Sequence, residues 1–325
     1  MDRRRFIDVE NQRILLAKIE GSEQEQDLTE KPTCGGFARI HHFKRLIKDW
    51  INDPLPIDPA NKYFGLPYNE PQINVQVFQL PICNMNCWYC FVPDNLKNLS
   101  DKNSKWFSMS EIVDRLEVQC KGKTVIDLSG GNPELTPEWP LWLARELKKR
   151  SLDKKYYIWS DDTLSTENMF TYLSDDEIKE LVSYKNYGKV CCFKGFDEES
   201  YEYNCMLKKE FYDKSFKTLK KYIEYGFDVY GYITLTTNNI RNIKNRIANF
   251  MDRIQKEISF YFPLRIIPLK IFQFTPTKGR MIKNPDSKKA IDNQNVAIKV
   301  WCDEIKKRFT IEEIQQNICD IKIKD

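Results

Sequence analysis

Three of the ten cysteines of this 325-residue chain lie in one stretch, Leu80-Pro81-Ile82-Cys83-Asn84-Met85-Asn86-Cys87-Trp88-Tyr89-Cys90-Phe91. Three thiols in so short a loop cannot pair off as disulfides without leaving one over, but they can converge on a soft metal centre. Two kinds of centre meet that description. A structural zinc needs a fourth ligand, for which Cys34, His41 or His42 could be recruited, and the chain would then be a zinc-stapled binding module. An iron–sulfur cube held by three thiolates keeps one iron free of protein ligands, and an open coordination position is what a catalytic site needs. Trp88, Tyr89 and Phe91 would exclude water from such a centre and tune its potential. The scattered Cys34, Cys120, Cys191, Cys192, Cys205, Cys302 and Cys319 read, one by one, as small buried hydrophobes.

A second stretch, Ile126-Asp127-Leu128-Ser129-Gly130-Gly131-Asn132-Pro133-Glu134, ends a β-rich run with two glycines and a proline. Glycines there let backbone groups approach a ligand closely, and the proline stiffens the turn. The two stretches together, cysteines first, resemble the radical S-adenosylmethionine (SAM) superfamily, and around the cysteines the chain is similar to its glycyl-radical-enzyme activases. The resemblance implies a [4Fe-4S] cluster on Cys83, Cys87 and Cys90, whose open iron chelates SAM. Reductive cleavage of SAM then gives a 5′-deoxyadenosyl radical that takes a hydrogen atom from a substrate. It also implies that Tyr89, Ser129, Gly130, Gly131, Asn132 and Pro133 contact the cosubstrate, with Asn132 standing where the family has Glu. Bulk at Gly131 is accordingly expected to weaken SAM binding and to spare the cluster. Ser160, Asp161 and Asp162 fall where the family places polar groups around ribose and carboxylate. Lys194 resembles the activases' lysine, although Cys192 stands where they carry an acid, and Pro268 with Leu269 would wall the adenine. The reductant implied is a flavodoxin or ferredoxin. A protein glycine, a nucleoside or tRNA base, and a small metabolite all remain as substrates.

These residues need a scaffold, and the sequence supplies one in α/β alternation. The β-rich runs Ile73–Leu80, Thr124–Leu128, Tyr156–Trp159, Val190–Phe193, Val229–Leu235 and Arg265–Phe274 are separated by helical stretches, a pattern that argues a parallel sheet. Helix starts are marked by Ser108 with Glu111, Ser174 with Glu177 and Thr310 with Glu313, each at capping-box spacing. Leu141–Lys149, Ser215–Tyr225 and Ile243–Glu257 carry apolar residues at helical spacing. With the resemblance, this gives a partial (β/α)6 barrel over residues 73–275, with N-terminal and C-terminal extensions. Residues 1–72, broken by Pro and Gly around a helix expected at Phe43–Ile51, are expected to form a lid that includes Cys34-Gly35-Gly36-Phe37, His41, His42 and Trp50. Residues 276–325 are expected to be a basic loop (Lys278, Arg280, Lys283, Lys288, Lys289) followed by helices. Lys and Arg number 51 against 47 Asp and Glu, a net charge of +4, which does not suggest a non-specific nucleic-acid binder. No run is apolar enough for a membrane span, and ten unpaired thiols suit the cytoplasm.

Overall fold

The computed structural model describes Asp2 to Ile323. Strands β1 (Ile7–Asp8) and β2 (Arg13–Ala17) precede β3 (Ala38–Lys44), helix α1 (Ile57–Phe64) and β4 (Gln72–Phe78). After the cysteine stretch come β5 (Ser104–Ser108), α2 (Met109–Gln119), β6 (Thr124–Leu128), α3 (Trp139–Lys149) and β7 (Tyr156–Asp162). Helices α4 (Asn168–Tyr172) and α5 (Asp175–Ser183) lead to β8 (Tyr187–Phe193), and α6 (Glu198–Cys205) and α7 (Tyr212–Tyr225) lead to β9 (Val229–Thr234). Then follow α8 (Ile243–Glu257), β10 (Ile266–Leu269), α9 (Thr275–Lys283), α10 (Ser287–Arg308) and α11 (Ile311–Ile314). The three expected capping boxes form at the starts of α2, α5 and α11, each satisfying amides that the first helical turn would leave unpaired.

The main sheet has the order β10-β9-β8-β7-β6-β4-β3. Its six strands from β4 to β10 run parallel, joined by helical crossovers, and make the expected partial barrel. Along each strand alternate residues face opposite ways. Phe78, Ile126, Leu128, Ile158, Cys191 and Ile233 pack outward in one cluster with Ile112, Leu143, Phe216 and Ile247 of the helices. Val77, Val125, Tyr157, Trp159, Cys192, Tyr230 and Tyr232 face inward, with Ala60 and Phe64 of α1 packed in the same cluster. Each strand is therefore buried on both faces, which is why its sequence reads as a nearly continuous apolar run.

Two expectations about the extensions are corrected. The stretch expected as a helix at Phe43–Ile51 is the end of β3 and a following loop, because Ala38–Lys44 pairs antiparallel with Gln72–Phe78 residue for residue. Sheet pairing there overrides a local helical pattern. The loop crosses the open side of the barrel: the Trp50 indole donates to Pro268 O at 2.7 Å and Lys270 Nζ donates to Lys48 O at 2.6 Å. The segment expected as a basic loop is helical, since Lys278, Arg280 and Lys283 lie in α9 and Lys288 and Lys289 in the first turn of α10. Cys34-Gly35-Gly36 form a turn packed on Glu20 and Arg115. Among the described residues no helix is long and apolar enough to cross a membrane.

Candidate active site at the C-terminal ends of the strands

The cysteine stretch leaves the end of β4 and is tied to nearly every strand end around it. Leu80 N–H donates to Gly130 O at 3.2 Å and Asn132 N–H to Ile82 O at 2.8 Å, so the cysteine loop and the glycine turn are stitched together through backbone. The Asn132 amide extends the stitching, donating to Asn84 Oδ1 at 2.7 Å and to Ser165 Oγ at 3.2 Å. On the far side Asn86 N–H donates to Cys205 O, and the Trp88 indole to Asn204, whose own amide donates to Thr236 O. Tyr89 reaches across to β9, its hydroxyl 3.1 Å from Thr234 Oγ1. Arg280 of α9 closes the clamp by donating to Cys90 O and Val92 O and pairing with Asp94. A basic residue that sequence left in a solvated loop thus holds the cysteine loop in place.

Cys87 is buried, and Cys83 and Cys90 are partly so. Burial pushes the Cys83 thiol up to about 12, with the neighbouring Cys87 and Cys90 adding to the effect. Burial also raises Cys87, opposed by the nearby Lys194. The three sulfurs therefore lie near one another, with Lys97 close to Cys83 and Cys87 and Lys194 close to Cys87, and a metal centre there must displace the thiol protons. Among the described residues no three His, Cys, Asp or Glu side chains gather tightly around one ion position. A cube takes one thiolate on each of three separate irons, so this donor set of three soft sulfurs in one clamped loop fits it. The ligands considered for a zinc lie elsewhere: Cys34 O accepts from Arg115 of α2, and His42 is held by Asn74 Oδ1 and Glu30 at the opposite end of β4. His41 packs on Phe43, and burial, helped by Arg39 and His42, pushes it down to about 3.

Gly130 and Gly131 have φ of +105° and +69°, a region other residues rarely adopt. A Cβ on Gly131 would stand 2.5 Å from both Leu80 O and Ile82 O, and one on Gly130 would meet the Gln79 side chain. The close approach these glycines permit is therefore to the cysteine loop itself. A side chain at Gly131 would press on that loop's backbone, which argues against bulk there sparing the cluster. Pro133 opens a short 3-10 turn in which the Glu134 N–H donates to Asn132 Oδ1.

The polar trio at the end of β7 is split by strand alternation. Asp161 faces inward, accepting from Ser129 Oγ. Ser160 and Asp162 face the helices, Ser160 against the Tyr187 hydroxyl and Asp162 in a sealed cluster with Lys189, Glu134 and Tyr222. These two are not brought to the site, because β7 continues to Asp162, past the Trp159 at which the β-rich run was expected to end. Lys194 follows β8 on the inward side; burial works against its charge, but Tyr89, Cys192, Cys87 and Asp161 outweigh it and keep it protonated. Pro268 lies in β10 with its carbonyl taken by Trp50, while Ile267 and Leu269 pack in the inward-facing cluster.

The inner face also holds two residues that the sequence did not single out, Arg39 of β3 and Asp127 of β6. Burial and the adjacent Asp161 push the Asp127 carboxyl well up, against the pull of Arg39. Burial lowers the Arg39 guanidinium to about 10, opposed by the same two acids. Asp127 had a signal: it is the one charge in Thr124–Leu128, two residues from Val125 and from Ser129. Arg39 had none while its segment lacked a strand assignment.

A half-open parallel barrel carrying a three-thiol loop against a Gly-Gly turn defines a class of cluster-dependent enzyme. Residues 79–248 match the family model of the radical SAM superfamily, and the chain belongs to that superfamily. It is an enzyme of that type, with SAM and a [4Fe-4S] cluster as its cofactors. No curated protein matches the chain. Solved structures with partial likeness include a histidine-tagged anSMEcpe with bound AdoMet, at 18% identity over 61% of this chain and 50% of that one, TM-score 0.41. Streptococcus suis SuiB bound to S-adenosylmethionine shares 18% identity over 56% of this chain and 37% of its own, TM-score 0.38. TYW1 with a lysine-pyruvate adduct bound shares 14% over 66% and 72%, TM-score 0.37. The chain thus spans about half the length of the first of these.

Proposed function

We propose that Cys83, Cys87 and Cys90 hold the cluster and that the chain uses it to abstract a hydrogen atom from a small metabolite. When bound, the cluster supplies the electron that cleaves SAM to a 5′-deoxyadenosyl radical. The chain's own residues orient and shield. The glycine turn and Asn132 fix the cysteine loop from one side, and Tyr89 with Arg280 fixes it from the other. Ser129, Asp161 and Lys194 line the inner face next to that loop and offer a hydroxyl, a carboxylate and an ammonium to the polar parts of the cosubstrate. Trp88 and Tyr89, packed edge to face at 5.5 Å, exclude water from the cysteine loop. The single observation that carries this reading is the backbone stitching of the cysteine loop to the Gly-Gly turn at the strand ends.

A small substrate is favoured over a protein glycine or a tRNA base because the loop through Trp50 crosses the open side of the barrel. The activase assignment is further weakened by Cys192, an inward thiol in place of an acid. The electron is taken from a flavodoxin or ferredoxin. The test is anaerobic reconstitution followed by iron and sulfide analysis: brown protein that bleaches with dithionite supports the reading, and colourless protein with stoichiometric zinc overturns it.

A further inference from the structure

Inside the barrel lie a base and an acid that cluster and cosubstrate binding leave without a role. Arg39 and Asp127 are both level with Val77 of β4, one on either side of it, and share its inward face. Asp127 is 1% exposed and both of its carboxylate oxygens lack a hydrogen-bond partner; Arg39 is 6% exposed and its Nε lacks one as well. A buried carboxyl with neither oxygen partnered, near enough to a buried guanidinium to feel it but not paired with it, is costly unless something bridges the two. Above them sits the cysteine loop, with the Phe91 ring 5.1 Å from the Arg39 guanidinium. Trp159, level with Asp127 on β7, and the fully buried Tyr157 fill the interior on the other side. The occupant is therefore small, and it must donate to Asp127 while accepting from Arg39.

We propose that Arg39 and Asp127 recognise the substrate and that the substrate is a small zwitterion of the α-amino acid class, its ammonium on Asp127 and its carboxylate on Arg39. This rests on the active-site reading above. An ammonium has three donors and can satisfy both Asp127 oxygens, whereas an amide N–H would leave one unpaired. A planar carboxylate matches the fork of a guanidinium. A zwitterion brings no net charge into this buried site, which a simple amine or a simple acid would do, and its ammonium favours the ionised Asp127 that burial and Asp161 otherwise oppose.

The test is calorimetric titration of the anaerobically reconstituted, SAM-loaded protein with the standard L-amino acids, followed for any that bind by the N-acetyl and methyl-ester forms. At least one amino acid binds, and blocking either end weakens it by about tenfold or more, as expected for losing a charge-assisted contact. Asp127→Asn and Arg39→Gln each weaken it comparably, while iron content stays unchanged and SAM affinity stays within about threefold. Failure of every amino acid to bind overturns the proposal, as does equal binding of the blocked forms, which would mean amide recognition. A loss of SAM affinity as large in the two variants would assign the pair to the cosubstrate and overturns it too. A wild-type protein that takes up neither cluster nor SAM instead defeats the underlying site assignment, and those two measurements precede the amino-acid titration.

Discussion

Replacing Gly131 with valine tests how the two motifs are joined. At φ +69° a residue with a Cβ pays for a left-handed backbone, about 1–2 kcal/mol, and a β-branched one more. Its Cβ would also stand 2.5 Å from Leu80 O and Ile82 O, both backbone atoms with no rotamer to change. Forcing them apart costs a further 1–3 kcal/mol, roughly what overpacking costs elsewhere. The sum, about 2–5 kcal/mol, corresponds to a fall in Tm of about 3–7 °C for a chain of this size. Because the displaced carbonyls begin the cysteine loop, iron content after reconstitution should fall together with Tm. Gly130→Ala is the comparison: it is strained too, at φ +105°, but its Cβ presses on the buried Gln79 side chain and not on the backbone of the cysteine loop. Differential scanning calorimetry and iron analysis on the three proteins decide the matter. A Gly131→Val protein with wild-type Tm and full iron would refute the claim that this turn supports the cysteine loop.

Four further outcomes are expected. Single replacement of Cys83, Cys87 or Cys90 by Ala abolishes cluster content, whereas replacement of Cys34, Cys120, Cys302 or Cys319 leaves iron per chain unchanged, checked by iron and sulfide analysis. Asn132→Ala frees Asn84 and Ser165 from a buried network and destabilises by about 1–3 kcal/mol in chemical denaturation. Arg280→Met releases Cys90 O and Val92 O, so the cluster is lost faster to a chelator while Tm changes less than in Gly131→Val. Asp53, beside the Tyr232 hydroxyl, is pushed by burial from 3.8 to about 7. The folded state then holds a proton that the unfolded state releases, so this group's contribution to stability falls by about 1.4 kcal/mol per unit as pH rises between about 4 and 7. Asp53→Asn removes that slope, and denaturation at pH 5 and pH 8 measures it.

The six parallel strands were legible because each is buried on both faces and spells its burial in Val, Ile, Tyr and Phe. The cysteine triplet was legible because thiols at that spacing have few other uses. β3 was not, since Ile40, His41, His42 and Phe43 are mixed in polarity and incompletely buried, and what makes them a strand is the antiparallel partner Gln72–Phe78. With β3 missed, Arg39 could not be placed opposite Asp127. The Ser160-Asp161-Asp162 trio shows a different limit: a few more residues of strand turn two of three polar groups away from the site, and nothing local to the sequence marks where β7 ends. Arg280 shows a third, because the two carbonyls it holds lie about 190 residues away in sequence and only the folded chain brings them together.

If this chain cleaves SAM at a cluster held by Cys83, Cys87 and Cys90, the product to look for is 5′-deoxyadenosine. It is quantified by liquid chromatography and mass spectrometry after anaerobically reconstituted protein is given SAM and dithionite, beside the Cys87→Ala protein. Wild type is expected to form deoxyadenosine and methionine in equal amounts, and the variant none. Wild-type protein that carries a full complement of iron and sulfide yet forms no deoxyadenosine, or a Cys87→Ala protein that forms as much, would contradict that assignment.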